Sequence, residues 1–191
     1  MSIVYLLGIK HSGKSTLAPL VAKQLGMECF DTDDLIKELL PAPYTSIRQF
    51  YQDQGPHQFR EKEVEALRRL LKTTQNTHMV VATGGGACDN QALVTIMRKT
   101  GTLVYLYVEK EILAKRIFAQ PLPPFLQTAD PVSSFNQLFE QRDRLYRKVS
   151  HIMVSLSECQ QVHQCAQLVA AYVKTSIDSE EPCQKTVLEQ L

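Results

Sequence analysis

Residues 8–16, with the sequence GIKHSGKST, have the spacing of a phosphate-binding loop. Gly8 is followed by four residues and then by Gly13, Lys14 and Ser15, which is the complete Walker A pattern. In such a loop, backbone N–H groups point at the phosphates, and the N-terminus of the next helix adds partial positive charge. We therefore expect Lys14 to reach the β- and γ-phosphates of a nucleotide, and the Ser15 hydroxyl to bind Mg²⁺.

Two residues inside this loop are unusual occupants of such a motif. Lys10 either adds positive charge near the phosphates or is a solvated lysine at the tip of the loop. His11 needs a backbone conformation that glycine would adopt more freely. The loop predicts nucleotide binding and does not by itself identify an acceptor.

Three acidic residues, Asp31, Asp33 and Asp34, follow the second apolar run. Alternation along a strand places Asp31 and Asp33 on the same side, at the carboxyl edge of an open sheet, where ligands bind. One carboxylate can serve Mg²⁺ while the other accepts hydrogen bonds from substrate hydroxyls. Alternatively, Asp33 or Asp34 caps the next helix, and for Asp34 we favour that interpretation.

Two arginines and a run of three glycines could form the acceptor side of a site. Arg60 and Glu63 share one helical face, so Glu63 could hold the guanidinium of Arg60 against a carboxylate ligand, or the two could form an ordinary surface ion pair. The glycines at 84–86 favour either close approach of a ligand to the backbone or a simple flexible turn. Arg142, late in a predicted helix, could be a second cationic clamp.

Five apolar strands, alternating with helical segments, must position these residues. We expect strands at residues 3–7, 28–31, 79–83, 102–107 and 151–155. Parallel strands need long crossover connections, so this alternation predicts an α/β fold with a parallel sheet covered by helices on both faces. The proline-rich run at 121–124 interrupts the helical pattern and is a candidate lid, at about residues 119–130.

The composition favours one globular domain. The chain has 191 residues and a formal net charge of +1, so no global field draws it to nucleic acid or to an anionic membrane. Its five cysteines are odd in number and contain no CxxC pair, which favours a reducing compartment and a cytoplasmic protein. No apolar run reaches the roughly 18 residues of a membrane span. Residues 175–191 are expected to form a loosely held tail.

The order of the motifs resembles the shikimate kinase family, which are P-loop kinases of the nucleoside-monophosphate-kinase type. The matching segments are GxxxxGKST at 8–16, FDTD at 30–33, FRxxE at 59–63, GGG at 84–86 and RxxLY at 142–146. The resemblance covers about residues 1–174 and implies a single three-layer α/β/α P-loop kinase domain. It also implies a five-stranded parallel sheet in the order 2-3-1-4-5, a lid, and a shikimate-binding region at about residues 33–62.

The same resemblance implies a role for each site residue. Lys14 would contact the transferred phosphoryl group, and Asp33 would bind the shikimate hydroxyls and orient or deprotonate the attacking one. Ser15 and Asp31 would organise Mg²⁺. Glu63 would hold Arg60. The implied ATP-binding residues are Gly8, Ser12, Gly13, Lys14, Ser15, Thr16 and Arg116, the last of which would cover the adenine. The implied shikimate-binding residues are Asp33, Phe59, Arg60, Glu63, Gly84, Gly85, Gly86 and Arg142.

The function implied is transfer of the γ-phosphate of ATP to the 3-hydroxyl of shikimate, in aromatic amino acid biosynthesis, by a cytoplasmic monomer. The sequence departs from the family at the lid, where Pro123 stands in place of an arginine that reaches the phosphates. Lys10, Lys115 or Arg116 are candidates to replace that cation. Smaller departures, which affect the expected shape of the acceptor pocket, are Lys37, Pro56 and the longer connection at 41–45.

Two other functions are compatible with this departure. The first is a nucleotide- or shikimate-binding protein with weak or no activity, because the lid lacks its arginine. The second is a kinase of the same fold that acts on another small hydroxy acid, such as a gluconate-like acceptor.

Overall fold

A five-stranded parallel sheet organises the chain. The structure is a computed structural model that describes residues 2–75, 77–157 and 161–178. The strands are β1 (Ile3–Leu7), β2 (Glu28–Asp31), β3 (Met79–Ala82), β4 (Thr102–Tyr107) and β5 (Ile152–Ser155). All neighbouring strands are parallel, in the order β2-β3-β1-β4-β5. The expected strand order is therefore confirmed.

The central strands are apolar along their whole length because both faces of the sheet are covered. Every residue of β1 (IVYLL) and of β3 (MVVA) is buried. This is the pattern of parallel strands that lie between two helical layers. The residues of β2, at the edge of the sheet, are exposed or half-buried. The predicted α/β/α arrangement is confirmed.

Seven α-helices in the described ranges connect and cover the strands. They are α1 (Lys14–Leu25), α2 (Thr32–Glu38), α3 (Ile47–Thr73), α4 (Gln91–Thr100), α5 (Lys110–Phe118), α6 (Pro131–Val149) and α7 (Val162–Asp178), with short 3₁₀ helices at Ala87–Asp89 and Pro124–Leu126. Helix α1 packs against α7, and α3 packs against α4. None of these helices is long and apolar enough to cross a membrane.

The end of α7 differs from the expected end of the domain. The helix continues to Asp178, so the first four residues of the expected tail, 175–178, are helical. The remainder of that tail, residues 179–191, lies outside the described residues.

Helix α3 consists of two helical segments that meet at Gly55. Gly55 has φ 79° and ψ 176°, which no α-helix contains, and Pro56 follows it. Proline is tolerated at the first position of a helix, because its missing N–H would have no partner there. The bend lets Tyr51, before it, and Phe59, after it, line the same cavity.

The start of α2 corrects one expectation. One interpretation of the sequence, favoured for Asp34, made Asp33 or Asp34 the cap of this helix, but the cap is Asp31, whose Oδ1 accepts a hydrogen bond of 2.9 Å from the Asp33 backbone N–H. Helix α2 begins at Thr32, so Asp31, the last residue of β2, takes the N-cap position. Asp34 lies in the first turn of the helix.

Candidate active site

The phosphate-binding loop connects β1 to α1 and has a left-handed backbone at two points. His11 has φ 66° and Gly13 has φ 96°. The strained backbone that the sequence predicts at His11 is therefore present. Gly13 precedes α1 without a side-chain cap, and Lys14, Ser15 and Thr16 form the first turn. Their backbone N–H groups have no partners within the helix, so this end of α1 favours an anion.

Lys14 lies folded into this loop and is 6% exposed. Its Nζ donates hydrogen bonds to the carbonyl oxygens of Gly8 at 2.8 Å and Ile9 at 3.0 Å, and to Ser12 Oγ at 3.4 Å. Burial lowers the pKa of Lys14 to about 8, although the charges of Asp33 and Asp31 oppose this change. An anion beside its ammonium would therefore be favourable, because it would offset the cost of burying the charge.

Asp33 lies in the first turn of α2 and lines a cavity with Lys14. Two causes raise the pKa of Asp33. The larger is desolvation of its carboxylate, and the second is the charge of Asp31. Lys14 and Lys10 act in the opposite direction on the same pKa. A carboxylate with a raised pKa is a better proton acceptor, as a general base requires.

Glu63 does not hold Arg60, so the expected ion pair between them is wrong. The buried carboxylate of Glu63 accepts a hydrogen bond of 3.0 Å from Asn90 Nδ2, which also donates to the Arg60 carbonyl oxygen at 2.9 Å. Asn90 is the N-cap of α4, and its amide draws Glu63 toward that helix. Arg60 still lowers the pKa of Glu63 by its charge, but the two form no ion pair in the described part of the chain.

Burial gives Glu63 an unusual titration. It raises the pKa of this carboxyl group from 4.5 to about 7, despite the hydrogen bond from Asn90. Because the folded-state pKa is raised, the stability that this group contributes is fully present below its unfolded-state value and is lost as the pH rises through about 7.

The substitution Glu63→Gln is expected to become relatively more favourable as the pH rises. The free energy of unfolding of the variant minus that of the parent protein should increase by about 2 kcal/mol between pH 5 and pH 8, because glutamine has no charge to bury. Urea unfolding at the two pH values measures this difference. Glu65→Gln, an exposed position on α3, is the matched control. A difference for Glu63→Gln that does not change with pH would contradict the prediction.

Arg142, from α6, lies against the loop that follows β3. Its Nε and Nη2 donate to Asp89 Oδ2 at 3.0 Å and 2.8 Å, and its Nη1 donates to the Gly85 carbonyl oxygen at 3.0 Å. The ring of Phe125, from the expected lid, lies 5.2 Å from the centre of the guanidinium. Asp89 and Gly85 thus fix the guanidinium in place, and these three hydrogen bonds use three of its five N–H groups.

The glycines of the GGG run are required by contacts within the protein. A Cβ on Gly85 would lie 2.7 Å from the backbone nitrogen of Lys10, and one on Gly86 would lie 2.9 Å from Arg142 Nη2. A side chain at either position would therefore displace the phosphate-binding loop or the arginine. Gly84 is less crowded, and its backbone N–H donates to Thr32 Oγ1 at 3.1 Å.

A cavity of about 590 Å³ brings most of the predicted residues together. The predicted residues that line it are Gly13, Lys14, Ser15, Thr16, Asp33, Phe59, Arg60, Glu63, Gly84, Gly85, Gly86 and Arg142. Pro121, Pro123, Pro124 and Phe125 line the same cavity from the expected lid. The nucleotide-binding loop and the expected acceptor side therefore share one space.

Four predicted residues do not line this cavity: Gly8, Ser12, Asp31 and Arg116. Gly8 and Ser12 accept the hydrogen bonds of Lys14, and Asp31 caps α2. Arg116 Nη1 donates to the His11 carbonyl oxygen at 3.1 Å, so it supports the phosphate-binding loop.

Several residues of the site were not predicted from the sequence. Asp89 and Asn90 hold Arg142 and Glu63, and Tyr51 contacts Phe59 edge to face at 5.5 Å between ring centres. Of these, Asn90 carried a usable signal, because asparagine directly before a helical segment is a typical N-cap. The partner of Arg142 lies 53 residues away, and no local pattern marks it.

Comparison with known proteins agrees with this geometry. The family model described as shikimate kinase matches residues 10–175. The chain belongs to the shikimate kinase family. The shikimate kinase of Neisseria gonorrhoeae is 32% identical over 159 residues, which is 83% of this chain and 90% of that protein. The shikimate kinase of Psychrobacter cryohalolentis is 32% identical over 181 residues, which is 93% of this chain and 94% of that protein.

A solved structure shows the same relationship in three dimensions. The shikimate kinase from Acinetobacter baumannii, in complex with shikimate, superposes with a TM-score of 0.78 and 29% identity, over 92% of this chain and 94% of that one. Shikimate kinases are ATP-dependent kinases, so this chain is an ATP-dependent small-molecule kinase with the family's P-loop fold.

Proposed function

We propose that this protein transfers the γ-phosphate of ATP to the 3-hydroxyl of shikimate. The observation that carries the proposal is a single cavity lined by Lys14, Asp33 and two guanidinium groups, from Arg60 and Arg142. A small acid with one carboxylate and several hydroxyls needs cations for the carboxylate and a carboxylate for the hydroxyls. Family membership supports the same acceptor.

The residues at the loop fit a magnesium ion bound with the nucleotide. Mg²⁺ is usually held by one or two carboxylates together with substrate phosphates and water. The Ser15 hydroxyl lines the cavity, and Asp31 uses only Oδ1 to cap α2, which leaves its second oxygen available. When bound, Mg²⁺ would neutralise part of the phosphate charge.

In the proposed reaction the protein aligns two groups and moves one proton. Arg60 and Arg142 hold the carboxylate of shikimate, while Asp33 accepts a hydrogen bond, and then the proton, from the attacking hydroxyl. Lys14 and the first turn of α1 bind the phosphates. The bond between that hydroxyl oxygen and the γ-phosphorus forms, the bond to the β–γ bridging oxygen breaks, and ADP leaves.

We further propose a division of the chain by role. Residues 1–174 act as the kinase domain, residues 119–130 as a lid, and residues 33–62 as the shikimate-binding region. Arg48 Nη2 donates to the Leu122 carbonyl oxygen at 3.2 Å, which supports a lid that closes on this region. We infer that the protein acts in the cytoplasm as a monomer, and sedimentation at working concentration tests the oligomeric state.

The main alternative is a binding protein without efficient transfer, which the uncharged Pro123 in the cavity wall favours. An ADP-release assay with ATP, Mg²⁺ and shikimate separates the two functions, with phosphorus NMR to identify the product. Turnover that depends on shikimate supports the kinase. If calorimetry shows binding of both ligands and no turnover is found, the protein is a binding protein and not a kinase. If turnover is found only with gluconate-like acids, the protein is a kinase and its acceptor is not shikimate.

The substitution Arg142→Gln is expected to raise the KM for shikimate by roughly 10- to 100-fold, because it removes a charged hydrogen bond to the carboxylate. The KM for ATP should change by less than about threefold, since Arg142 is placed on the acceptor side. Steady-state kinetics with each substrate varied measures both values. Arg144→Gln, an exposed neighbour on α6, is the control. An equal rise in both KM values would contradict this assignment.

A further inference from the structure

In the transition state of phosphoryl transfer, negative charge is spread over the oxygens of the transferred phosphoryl group. P-loop enzymes often offset this charge with a second cation, in addition to the lysine of the loop. In this chain the lid contributes Pro121, Pro123, Pro124 and Phe125 to the cavity, and none of them is charged. Any second cation would therefore come from another part of the cavity wall.

Two candidates from the sequence do not reach the cavity. Neither Lys115 nor Arg116 lines it, and Arg116 donates to the His11 carbonyl oxygen at 3.1 Å. Both lie in the last turn of α5, outside the space that the substrates would share.

Two arginines that do line the cavity are already engaged. Arg142 is paired with Asp89 at 2.8 Å and is assigned to the carboxylate of shikimate on the acceptor side. Arg48 donates to the Leu122 carbonyl oxygen at 3.2 Å, which directs it to the lid backbone. Arg48 could exchange this hydrogen bond for one to a phosphate, so it is tested as the alternative cation.

The two remaining cations that line the cavity are Lys10 and Arg60. Neither Lys10 nor Arg60 has a side-chain hydrogen bond or ion pair to any residue in the described ranges. The charge of Arg60 lowers the pKa of Glu63, on the acceptor side. The charge of Lys10 instead lowers the pKa values of Asp33 and Lys14. Lys10 lines the same cavity as Lys14 and Asp33, the two groups between which the phosphoryl group would pass.

The backbone of Lys10 is held in place by the loop after β3. A Cβ on Gly85 would lie 2.7 Å from the Lys10 nitrogen and 2.9 Å from its Cα, so the two backbones are in direct contact. The backbone of Lys10 is therefore fixed at the cavity, and only its side chain has to change conformation to contact the transferred phosphoryl group.

We propose that Lys10 is a catalytic residue that supplies the second cation to the transferred phosphoryl group, in place of an arginine at position 123. This inference rests on the proposed function. The phosphoryl group moves from the β–γ bridging oxygen of ATP to the shikimate hydroxyl oxygen, the hydroxyl proton passes to Asp33, and ADP is released. The Lys10 ammonium stays protonated and contacts the oxygens of the transferred phosphoryl group, so its contribution is electrostatic.

The first test is the substitution Lys10→Met, which keeps the length of the side chain and removes its charge. We expect kcat to fall by about 100-fold, while the dissociation constants for ADP and shikimate change by less than about threefold. Lys10→Arg should keep most of the rate. Lys115→Met, on α5, is the matched control. An unchanged kcat for Lys10→Met, or a loss confined to KM, would overturn the proposal.

The second test restores a cation at the lid. Pro123→Arg in the Lys10→Met background is expected to raise kcat at least tenfold, and in the parent protein to change it little, because the cation is already present there. If Arg48→Met loses the rate instead, and Pro123→Arg rescues that variant, then Arg48 is the second cation and the proposal fails.

A third measurement separates this inference from the proposed function. Aluminium fluoride bound with ADP mimics the transferred phosphoryl group in the transition state. Its binding can be measured by calorimetry without turnover of any acceptor. Lys10→Met should weaken that binding by at least tenfold relative to ADP alone. Absence of shikimate turnover in the parent protein would reject the proposed function, whereas equal aluminium fluoride binding by parent and Lys10→Met would reject the role of Lys10.

Discussion

Replacing Lys14 with methionine is expected to lower kcat for shikimate phosphorylation by at least about 10³-fold. Lys14 is the buried cation of the phosphate-binding loop, with its Nζ 2.8 Å from the Gly8 carbonyl oxygen. Burial already lowers its pKa to about 8, which shows that its charge is poorly solvated. Phosphate oxygens would interact strongly with such a charge, and most strongly in the transition state.

The measurement must separate lost chemistry from a loosened loop. Steady-state kinetics give kcat, and urea unfolding shows whether Lys14→Met still folds, since the same Nζ also binds the carbonyl oxygens of the loop. Lys23→Met, at the exposed end of α1, is the control and should retain the parent rate. A folded Lys14→Met variant that keeps more than a tenth of the parent kcat would contradict the assigned role.

The substitution Asp33→Asn is expected to lower kcat by roughly 10²- to 10⁴-fold, because asparagine cannot accept the proton of the attacking hydroxyl. The size of the side chain is preserved, so the geometry of the cavity should change little. Asp34→Asn, on the next residue of α2, is the control, since Asp34 does not line the cavity.

The pH dependence gives a second readout for Asp33. Burial and the charge of Asp31 raise the pKa of this carboxyl group, and its base form is lost as the pH falls through that value. The parent kcat/KM should therefore decrease on the acid side, and this decrease should be absent in Asp33→Asn. If kcat/KM of the variant still decreases on the acid side as in the parent protein, the titrating group is not Asp33.

Local patterns in the sequence were enough to predict the sheet and one wall of the site. The expected strand at 28–31 coincides with β2, because the alternation of strands and helices along the chain predicts a strand between the helical segments on either side. The phosphate-binding loop was equally predictable, since its spacing requires a strand before it and a helix after it, and β1 and α1 supply them.

Predictions about side-chain partners were less reliable. Residues three apart on a helix face the same way, so Arg60 and Glu63 were expected to pair, but Asn90 from α4 binds Glu63 instead. The GGG run was expected either to let a ligand approach the backbone closely or to form a flexible turn, but the groups that come close to it are Lys10 and Arg142 of the protein itself. In both cases the competing partner is distant in sequence.

The sequence by itself determined the element order, the phosphate-binding loop and the identity of the charged residues at the carboxyl edge of the sheet, because these follow from periodicity and spacing over short distances. Only the tertiary structure decided which charged side chains are engaged by partners distant in sequence. Asp89 meets Arg142 across 53 residues, and Arg48 meets the Leu122 carbonyl across 74. Such pairs depend on how helices pack across the sheet, and that packing leaves Lys10 at the cavity without an ion pair in the described residues.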